Sequence, residues 1–170
     1  MSKKGYLTAE EYSAMCKFLH MKTDELVCFH RVQNRSTINR WQSGKSFVSE
    51  KACDDICRLF DTVVERVEFA LSKIYEQNKD ECQIVLIIYP EACQDMIFGF
   101  KGSGIPLPAF NSIAEHVYAE ATARGYDIGL IGFNPQAYMI WLSSRGLDDT
   151  PDNRSAWAAE SYAEFEEEKA

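Results

Sequence analysis

The segment Asn34-Arg-Ser-Thr-Ile-Asn-Arg-Trp-Gln-Ser-Gly-Lys45 decides how the first part of this chain folds. Asn34 can accept a hydrogen bond from a backbone N–H in the first turn of a helix. Gly44 can adopt the left-handed conformation that ends a helix. Ile38 and Trp41 lie three residues apart, so their side chains face the same side of the helix. The segment therefore predicts a short helix over residues 34–43 with Ile38 and Trp41 in the core.

The opposite side of this predicted helix is polar. Its exposed side chains are those of Arg35, Ser36, Asn39, Arg40 and Gln42. In the major groove of DNA, arginine can pair with guanine, and asparagine or glutamine with adenine. The pattern therefore favours DNA binding over the alternative of a solvated helix in an all-α domain. Arg40 is the candidate on which this interpretation depends most.

The charge distribution agrees with this interpretation, although the whole chain carries a net charge of −8. Residues 1–51 contain nine Lys or Arg and five Asp or Glu, a net charge of +4, whereas residues 52–170 carry −12. Opposite signs in the two parts indicate that only the N-terminal part approaches an anionic partner. The composition, 46% hydrophobic and 26% charged, is typical of a globular protein.

The first fifty residues predict three short helices. Thr8 and Glu11 have the spacing of a capping box, and the second helix is expected to begin at Thr23 or Asp24. After a break at Val32-Gln33 comes the segment quoted above. Two helices joined by a turn of about 3–4 residues are typical of a helix-turn-helix.

A long helix is predicted from Ser49 to about residue 78. Its apolar residues recur with heptad spacing, at Ile56, Phe60, Val63, Val67, Ala70 and Ile74. Two interpretations remain open for this seam: packing against the chain's own core, or contact with a second subunit. Both can hold if the first half supports the domain and the second half contacts a partner.

The remaining sequence predicts a small α/β unit. Residues 84–89 are apolar and rich in β-branched side chains, as in a buried strand, and the apolar residues 128–133 predict a second strand. Helices are predicted after Pro90, over residues 109–124, from Asn134 to Gly146, and from Asp149 or Asp152 onward. The last of these should fray at Glu166–Glu168, because negative charge is unfavourable at the C-terminal end of a helix.

These elements predict an α+β chain with an N-terminal all-α helix-turn-helix domain, a long connecting helix and a small C-terminal α/β dimerisation unit. The expected boundaries are 1–62 for the DNA-binding domain with the start of the long helix, 63–81 for the rest of that helix and the break, 82–165 for the C-terminal unit, and 166–170 for an acidic tail. No apolar run approaches 18 residues, and the first residues lack the pattern of a signal peptide. We therefore expect a cytoplasmic protein with no membrane contact and with its six cysteines reduced.

The run Thr37-Ile-Asn-Arg-Trp-Gln-Ser-Gly-Lys45 resembles the third-helix signature of Cro/C1-type (XRE-like) helix-turn-helix regulators. Residues 7–25 also resemble a smaller group, the regulators encoded beside anti-CRISPR genes and their bacterial relatives. The resemblance covers residues 7–48 well and weakens beyond about residue 90. It implies a homodimeric repressor that binds an inverted repeat in double-stranded DNA.

The resemblance also implies roles for individual residues. Arg35, Ser36 and Arg40 would contact bases, and phosphates would be contacted by Thr23, Asn39, Ser43 and Lys45. We also count Asn39 among the base-contacting candidates, because its amide suits adenine. The family usually has a glycine in the turn between the second and third helices, where this chain has Val32-Gln33. A left-handed conformation would strain Val32, so we expect a longer or differently shaped turn.

Other motifs are less specific. Cys53 and Cys57 could share a metal ion, but no second ligand pair accompanies them. Cys93 with His116 could form a nucleophile pair, and the glycine-rich residues 99–104 faintly resemble a phosphate cradle. We predict no catalytic site, metal or cofactor. The functional alternatives are an antitoxin-like protein whose C-terminal unit binds a partner protein, and an effector-sensing regulator.

Overall fold

The computed structural model describes residues 6–77, 84–93 and 104–169, which adopt an α+β fold. Within these residues there are seven α-helices, one 3-10 turn (Glu91–Cys93) and a two-stranded parallel sheet. In chain order the main elements are α1 (Ala9–Phe18), α2 (Thr23–His30), α3 (Arg35–Gln42), α4 (Glu50–Tyr75), β1 (Ile84–Ile88), α5 (Leu107–Ala123), β2 (Ile128–Gly132), α6 (Pro135–Arg145) and α7 (Pro151–Lys169). No helix among the described residues is long and apolar enough to cross a bilayer.

The N-terminal helices begin at side chains that satisfy the backbone N–H groups of a first turn. The hydroxyl of Thr8 accepts a hydrogen bond from the N–H of Glu11 (3.1 Å), and the Glu11 carboxylate accepts one from the N–H of Thr8 (2.8 Å). The side chain of Asn34 accepts a hydrogen bond from the N–H of Thr37 (3.3 Å). The predicted capping box of the first helix and the predicted cap of the third are therefore confirmed.

Residues 31–34 join α2 to α3 in a turn that contains no glycine. Arg31 takes the left-handed conformation, with φ 54° and ψ 40°. Its N–H donates to the carbonyl of Cys28, and the N–H of Val32 donates to the carbonyl of Val27. The left-handed position thus falls on an unbranched side chain, and Val32 avoids the strain that β-branching would cause there. The expected departure from the glycine-containing turn is confirmed.

One hydrophobic core holds the first four helices together. Tyr12, Leu26, Ile38 and Ile56, one from each of α1 to α4, have no exposed surface. Trp41 is only 6% exposed and contacts the Tyr12 ring edge-on, with ring centroids 6.0 Å apart. The prediction that Ile38 and Trp41 are core residues is confirmed.

The heptad seam of α4 packs against the chain's own core along its whole length. Ile56 and Val63 are fully buried in the N-terminal core. Further along, the helix packs against α5, where Ile74 shares a second cluster with Val117 and Ala121, and Val67 and Ala70 border it. The first interpretation, packing against the chain's own core, is confirmed, and contact of the second half of the seam with another subunit stays a prediction, since Val67 and Ala70 are only partly buried there.

The sheet lies between two layers of helices. β1 and β2 are parallel, with Ile84 opposite Ile128 and Ile88 opposite Gly132, and α5 connects them. Ile84 and Leu86 face the cluster formed with α4 and α5, whereas Val85 and Ile87 face a third cluster around Trp157 of α7. Both predicted strands are confirmed, but every residue of β1 is only half-buried, and in β2 only Ile128 and Gly129 are buried. Their apolar sequences follow from helices packed on both faces of the sheet.

Contacts near the end of α1 tie the N-terminal helices to α5. The ring of His116 stacks on Phe18, with centroids 3.9 Å apart, and its Nε2 lies 2.8 Å from the Phe18 carbonyl oxygen. Nδ1 of His20 lies 3.0 Å from a carboxylate oxygen of Glu115. The N-terminal helices therefore rest on α5 as well as on α4.

Some predicted helix limits differ from the structure. α5 begins at Leu107, two residues before the predicted start. α7 is capped by Thr150, whose hydroxyl accepts from the N–H of Asn153 (3.1 Å). Asp149 cannot serve as this cap because Tyr138 and Arg154 both donate to its carboxylate, at 2.9 and 2.7 Å.

The last helix, α7, is helical through residues 166–168 and continues to Lys169, and the expected fraying there stays a prediction. The carboxylates of residues 166–168 are exposed to solvent. An exposed charge at a helix end changes stability by only about 0.3–1 kcal/mol, which is too little to end the helix.

His30 is a buried polar residue of the N-terminal core. It is 6% exposed, its ring contacts those of Tyr12 and Trp41, each with centroids 5.9 Å away, and neither ring nitrogen has a hydrogen-bond partner among the described residues. Burial disfavours the imidazolium and lowers the pKa of His30 from 6.5 to about 4. The folded state therefore holds His30 neutral at pH values where the unfolded chain protonates it.

This difference predicts a pH-dependent loss of stability. Because the folded pKa of His30 is the lower one, its contribution is fully present above pH 6.5 and is lost as the pH falls toward 4. The loss amounts to about 3 kcal/mol in the free energy of unfolding. We expect urea titrations to show His30→Phe gaining that amount over the wild type between pH 7 and pH 4. His20→Asn, which changes an exposed histidine, is the control, and parallel pH profiles for wild type and His30→Phe would contradict the prediction.

Candidate nucleic-acid interface

The candidate residues of the third helix form one continuous polar face of α3. At about 100° per residue, positions 35, 36, 39, 40 and 43 span an arc of roughly 140°. All five side chains are exposed, whereas Ile38 and Trp41 lie on the opposite side and are buried. We call this surface, formed by Arg35, Ser36, Asn39, Arg40 and the C-cap residue Ser43, the α3 polar face.

Packing fixes the direction of the α3 polar face. A rotation of α3 about its axis would bring Trp41 or Ile38 into water, and burying such side chains stabilises a protein by about 1.5–3 kcal/mol each. The Asn34 cap holds the first turn, and Gly44, with φ 69°, follows the last one. The polar side chains therefore project from a short, rigid helix.

Several groups of the α3 polar face already have partners within the chain. The guanidinium of Arg35 forms a two-point ion pair with the Asp24 carboxylate in the first turn of α2. The Ser36 hydroxyl donates to the side-chain oxygen of Asn34 (2.5 Å), and the Ser43 hydroxyl lies 3.4 Å from the Arg40 carbonyl oxygen. These three residues would have to exchange or share these contacts to bind a ligand.

Asn39, Arg40 and Lys45 differ from these residues. Their side chains are exposed and form no hydrogen bond or ion pair with any residue that the structure describes. Arg40 thus presents its guanidinium at one edge of the arc of the α3 polar face, and Lys45 presents its ammonium just beyond the helix. The sequence-based candidate Arg40 remains the best-placed cation on this surface.

Thr23 lies at the edge of this surface. It is the first residue of α2 and half-buried, and its neighbour Asp24 is the residue that pairs with Arg35. The first turns of α2 and α3 are therefore side by side. This arrangement brings all seven candidate residues to the same part of the chain: six in or directly after α3, and Thr23 beside its first turn.

The segment that contains α3 carries only positive charge. Residues 31–49 contain four cations, Arg31, Arg35, Arg40 and Lys45, and no acidic residue. Asp24 is the acid that the structure brings against them, and its pair with Arg35 is solvent-exposed on both sides, 69% for Arg35 and 61% for Asp24. Exposed pairs of this kind contribute about 0–1 kcal/mol, so the pair can be exchanged at little cost.

Sequence reasoning missed the role of Asp24. The two residues of the pair are eleven positions apart, and only the angle between two packed helices brings them together. No local sequence pattern reports that angle. A weak signal was present: Asp24 is one of only five acidic residues among the first 51, and it lies next to the candidate Thr23.

A cavity of about 730 Å³ lies between α2 and the start of α5, with Asp24 in its lining. Apolar side chains, including Phe29, Ile105 and Leu107, form part of its lining, and the carboxylates of Asp24 and Glu115 contribute negative charge. Asp24 therefore belongs both to the cavity and to the ion pair that holds Arg35.

The other chemical motifs do not assemble into a site within the described residues. Cys53 is buried, Cys57 is half-buried, and no group of three potential metal ligands occurs in the part of the chain that the structure describes. Burial raises the pKa of the Cys93 thiol, and His116 is engaged with Phe18. The glycine-rich residues 99–103 lie outside the described residues. The chain matches no protein-family model and no curated protein.

Proposed function

We propose that this protein is a sequence-specific DNA-binding protein and that α2 and α3 act as a helix-turn-helix, with α3 entering the major groove. The observation that carries this proposal is the division of α3 into a fully buried side, Ile38 and Trp41, and an exposed side that carries Arg40 and Asn39. Arginine and asparagine are the residues that pair with guanine and adenine through the major groove.

The surrounding charge supports the same proposal. The acid-free stretch of residues 31–49 supplies cations on both sides of α3, which suits the phosphate backbone. The acidic remainder of the chain would repel DNA elsewhere and favour approach through the α3 polar face. Arg40 and Asn39 would contact bases, with Arg35 and Ser36 joining them on release of their contacts within the chain, and Lys45, Ser43 and Thr23 would contact phosphates.

A single α3 covers only one half-site, so we propose a homodimer that binds an inverted repeat, acting as a transcriptional repressor. Two recognition helices related by twofold symmetry contact half-sites about one helical turn apart, roughly 34 Å. The experiment that tests the proposal is selection of bound duplexes from a randomised DNA pool by the full chain. We expect enrichment of an inverted repeat, and a pool that stays random after several rounds would overturn the proposal.

Replacement of Arg40 tests the base contact directly. We expect Arg40→Ala to lower affinity for the selected duplex by about 5- to 150-fold, which corresponds to the 1–3 kcal/mol of discrimination in an arginine–guanine pair. The fold should stay intact because the side chain is exposed. Fluorescence anisotropy measures the affinity and circular dichroism the fold. Unchanged affinity in a folded variant would contradict the role of Arg40.

Lys45→Ala is the matched comparison, because Lys45 is also an exposed cation but lies beyond the helix. A phosphate contact predicts weaker binding to selected and unrelated duplexes alike, with the slope of log affinity against log salt reduced by about one. A loss for Lys45→Ala that is confined to one base position would contradict this assignment.

The pair between Asp24 and Arg35 predicts a gain of function. Asp24→Asn should release Arg35 and raise affinity for the selected duplex by about two- to fivefold, the equivalent of an exposed ion pair. The effect should disappear in an Arg35→Ala background, which separates release of Arg35 from simple loss of negative charge. Asp54→Asn, an exposed acid on α4, serves as the charge control. Weaker binding of Asp24→Asn would mean that Asp24 orients Arg35 toward DNA.

A second candidate function, effector-responsive DNA binding, is favoured by the cavity that Asp24 lines. Its size suits a small molecule, and besides apolar side chains its lining has four carboxylates, those of Asp24, Glu25, Glu91 and Glu115, against Lys22 and His20, a balance that favours an organic cation. A panel of aliphatic and aromatic amines tested by thermal unfolding should include compounds that raise Tm with increasing concentration. Such compounds should also change affinity for the selected duplex, and a panel without any Tm shift would count against this candidate.

A further inference from the structure

The outer edge of β1 offers two pairs of backbone groups to an additional strand. Along a strand, the N–H and C=O of one residue point to the same edge, and successive residues alternate between edges. The carbonyl of Ile88 accepts from the N–H of Phe133, so Ile88, Leu86 and Ile84 point toward β2. Val85 and Ile87 therefore point away from β2. No described residue forms a hydrogen bond with their outward N–H and C=O groups.

The side chain of Asn111 closes this edge at its C-terminal end. Its Oδ1 accepts from the N–H of Tyr89 (3.0 Å), and its Nδ2 donates to the carbonyl of the same residue (2.8 Å). An amide side chain from α5 thus satisfies Tyr89 as a neighbouring strand would. The same pairing confirms which edge is the outer one, because Tyr89 belongs to the alternating set of Val85 and Ile87.

An apolar groove of about 380 Å³ runs along this edge. Val85, Leu86 and Ile87 all line it, although their side chains alternate between the two faces of the sheet. A groove on one face of a sheet would be lined by every second residue, so a groove lined by three consecutive residues lies along the edge of the strand. Its rim includes Phe69 of α4, which is 66% exposed, and α5 forms another wall.

We propose that β1 of a second copy of this chain occupies the groove, antiparallel to the first β1, with the twofold axis at Leu86. In this register Val85 lies opposite Ile87 of the second copy and Ile87 opposite Val85, and each pair exchanges two hydrogen bonds. The two copies together contribute four outward N–H and four outward C=O groups from Val85 and Ile87. In this register each N–H donates to one of these C=O groups, so none is left without a partner. The result is a continuous four-stranded sheet in the order β2-β1-β1-β2.

The register follows from the groups available. An axis at Ile87 would place Val85 opposite Tyr89, whose backbone groups Asn111 already occupies. Only the axis at Leu86 pairs the two open residues of one strand with the two open residues of the other. Side chains agree with this arrangement, because Ile84 would face Ile88, and Leu86 would face its own copy, with apolar contacts on both faces of the sheet.

The composition of β1 points to a covered edge. Exposed edge strands of natural proteins are usually protected by charged residues, proline or bulges, and residues 84–88, Ile-Val-Leu-Ile-Ile, contain none of these. A second copy is self-complementary to this edge by symmetry, as a twofold interface requires. The inference rests on the proposed function only in that a homodimer binding an inverted repeat needs such an interface.

Disulfide trapping tests the register. Across an antiparallel pair without direct hydrogen bonds, facing Cα atoms are about 4.5 Å apart, within reach of a disulfide. Leu86→Cys, in a background with Cys28, Cys57 and Cys82 replaced by serine, should therefore form a covalent dimer on mild oxidation of the full chain. Val85→Cys and Ile87→Cys are the matched controls, because each residue would lie roughly 8 Å from its own counterpart, too far for a disulfide. We expect Leu86→Cys to cross-link at least about tenfold faster than either control.

Cross-linking at position 85 or 87 in preference to 86, or at none of the three, would overturn the inference. A second measurement does not depend on the cysteine variants, whose packing is altered by the loss of an apolar side chain. Phe69→Glu places two negative charges at the rim of the paired grooves and should shift the chain toward monomer in sedimentation equilibrium. Ile140→Glu changes a residue of similar exposure, 71%, on α6 and should leave the dimer intact. Equal behaviour of these two variants would also overturn the inference.

The outcome is distinguishable from failure of the proposed function. A Leu86→Cys cross-link in a protein that enriches no DNA duplex would support this interface and reject DNA binding. Enrichment of an inverted repeat without any cross-link at position 86 would support DNA binding and reject this interface.

Discussion

The burial of Trp41 and Ile38 against α1 and α2 is the constraint on which the rest of the account depends. The indole meets the rings of Tyr12 and His30, each with centroids about 6 Å away, in a core where Ile38 is completely covered. A short helix with two such anchors has one permitted rotation about its axis. In that rotation Arg40 and Asn39 project into solvent. The packing of the core therefore also orients the side chains proposed to contact DNA.

The same core carries a cost. His30 has a lowered pKa, and its ring nitrogens have no hydrogen-bond partner among the described residues. Its contact with Trp41 of α3 makes the stability of the candidate interface sensitive to acid, although the α3 polar face itself contains no histidine. The exposed ion pair between Asp24 and Arg35 affects binding and not stability. It holds a candidate base-contacting group, but it is weak enough for DNA to displace Asp24.

The sequence predicted the local features well. These features depend on residues that are close in the chain. Residue type and spacing predict the caps at Thr8 and Asn34, and the pattern of apolar residues predicts the buried side of α3 and both strands. The sequence could not predict which element packs against the apolar side of a helix. The heptad seam of α4 suited a second subunit as well as it suited α5, and only the structure shows that α5 packs against it. The ion pair of Arg35 and the open edge of β1 escaped for the same reason, since both depend on how distant elements pack.

The central claim is that α3 enters the major groove of DNA through its Arg40 side. Methylation interference on a duplex selected by the full chain tests it most directly, because methylation of guanine blocks N7 in the major groove, the atom that arginine contacts. We expect methylated guanines to interfere with binding in two groups about one helical turn apart. Binding that tolerates methylation at every guanine N7, or that is blocked only by methylation in the minor groove, would contradict the account.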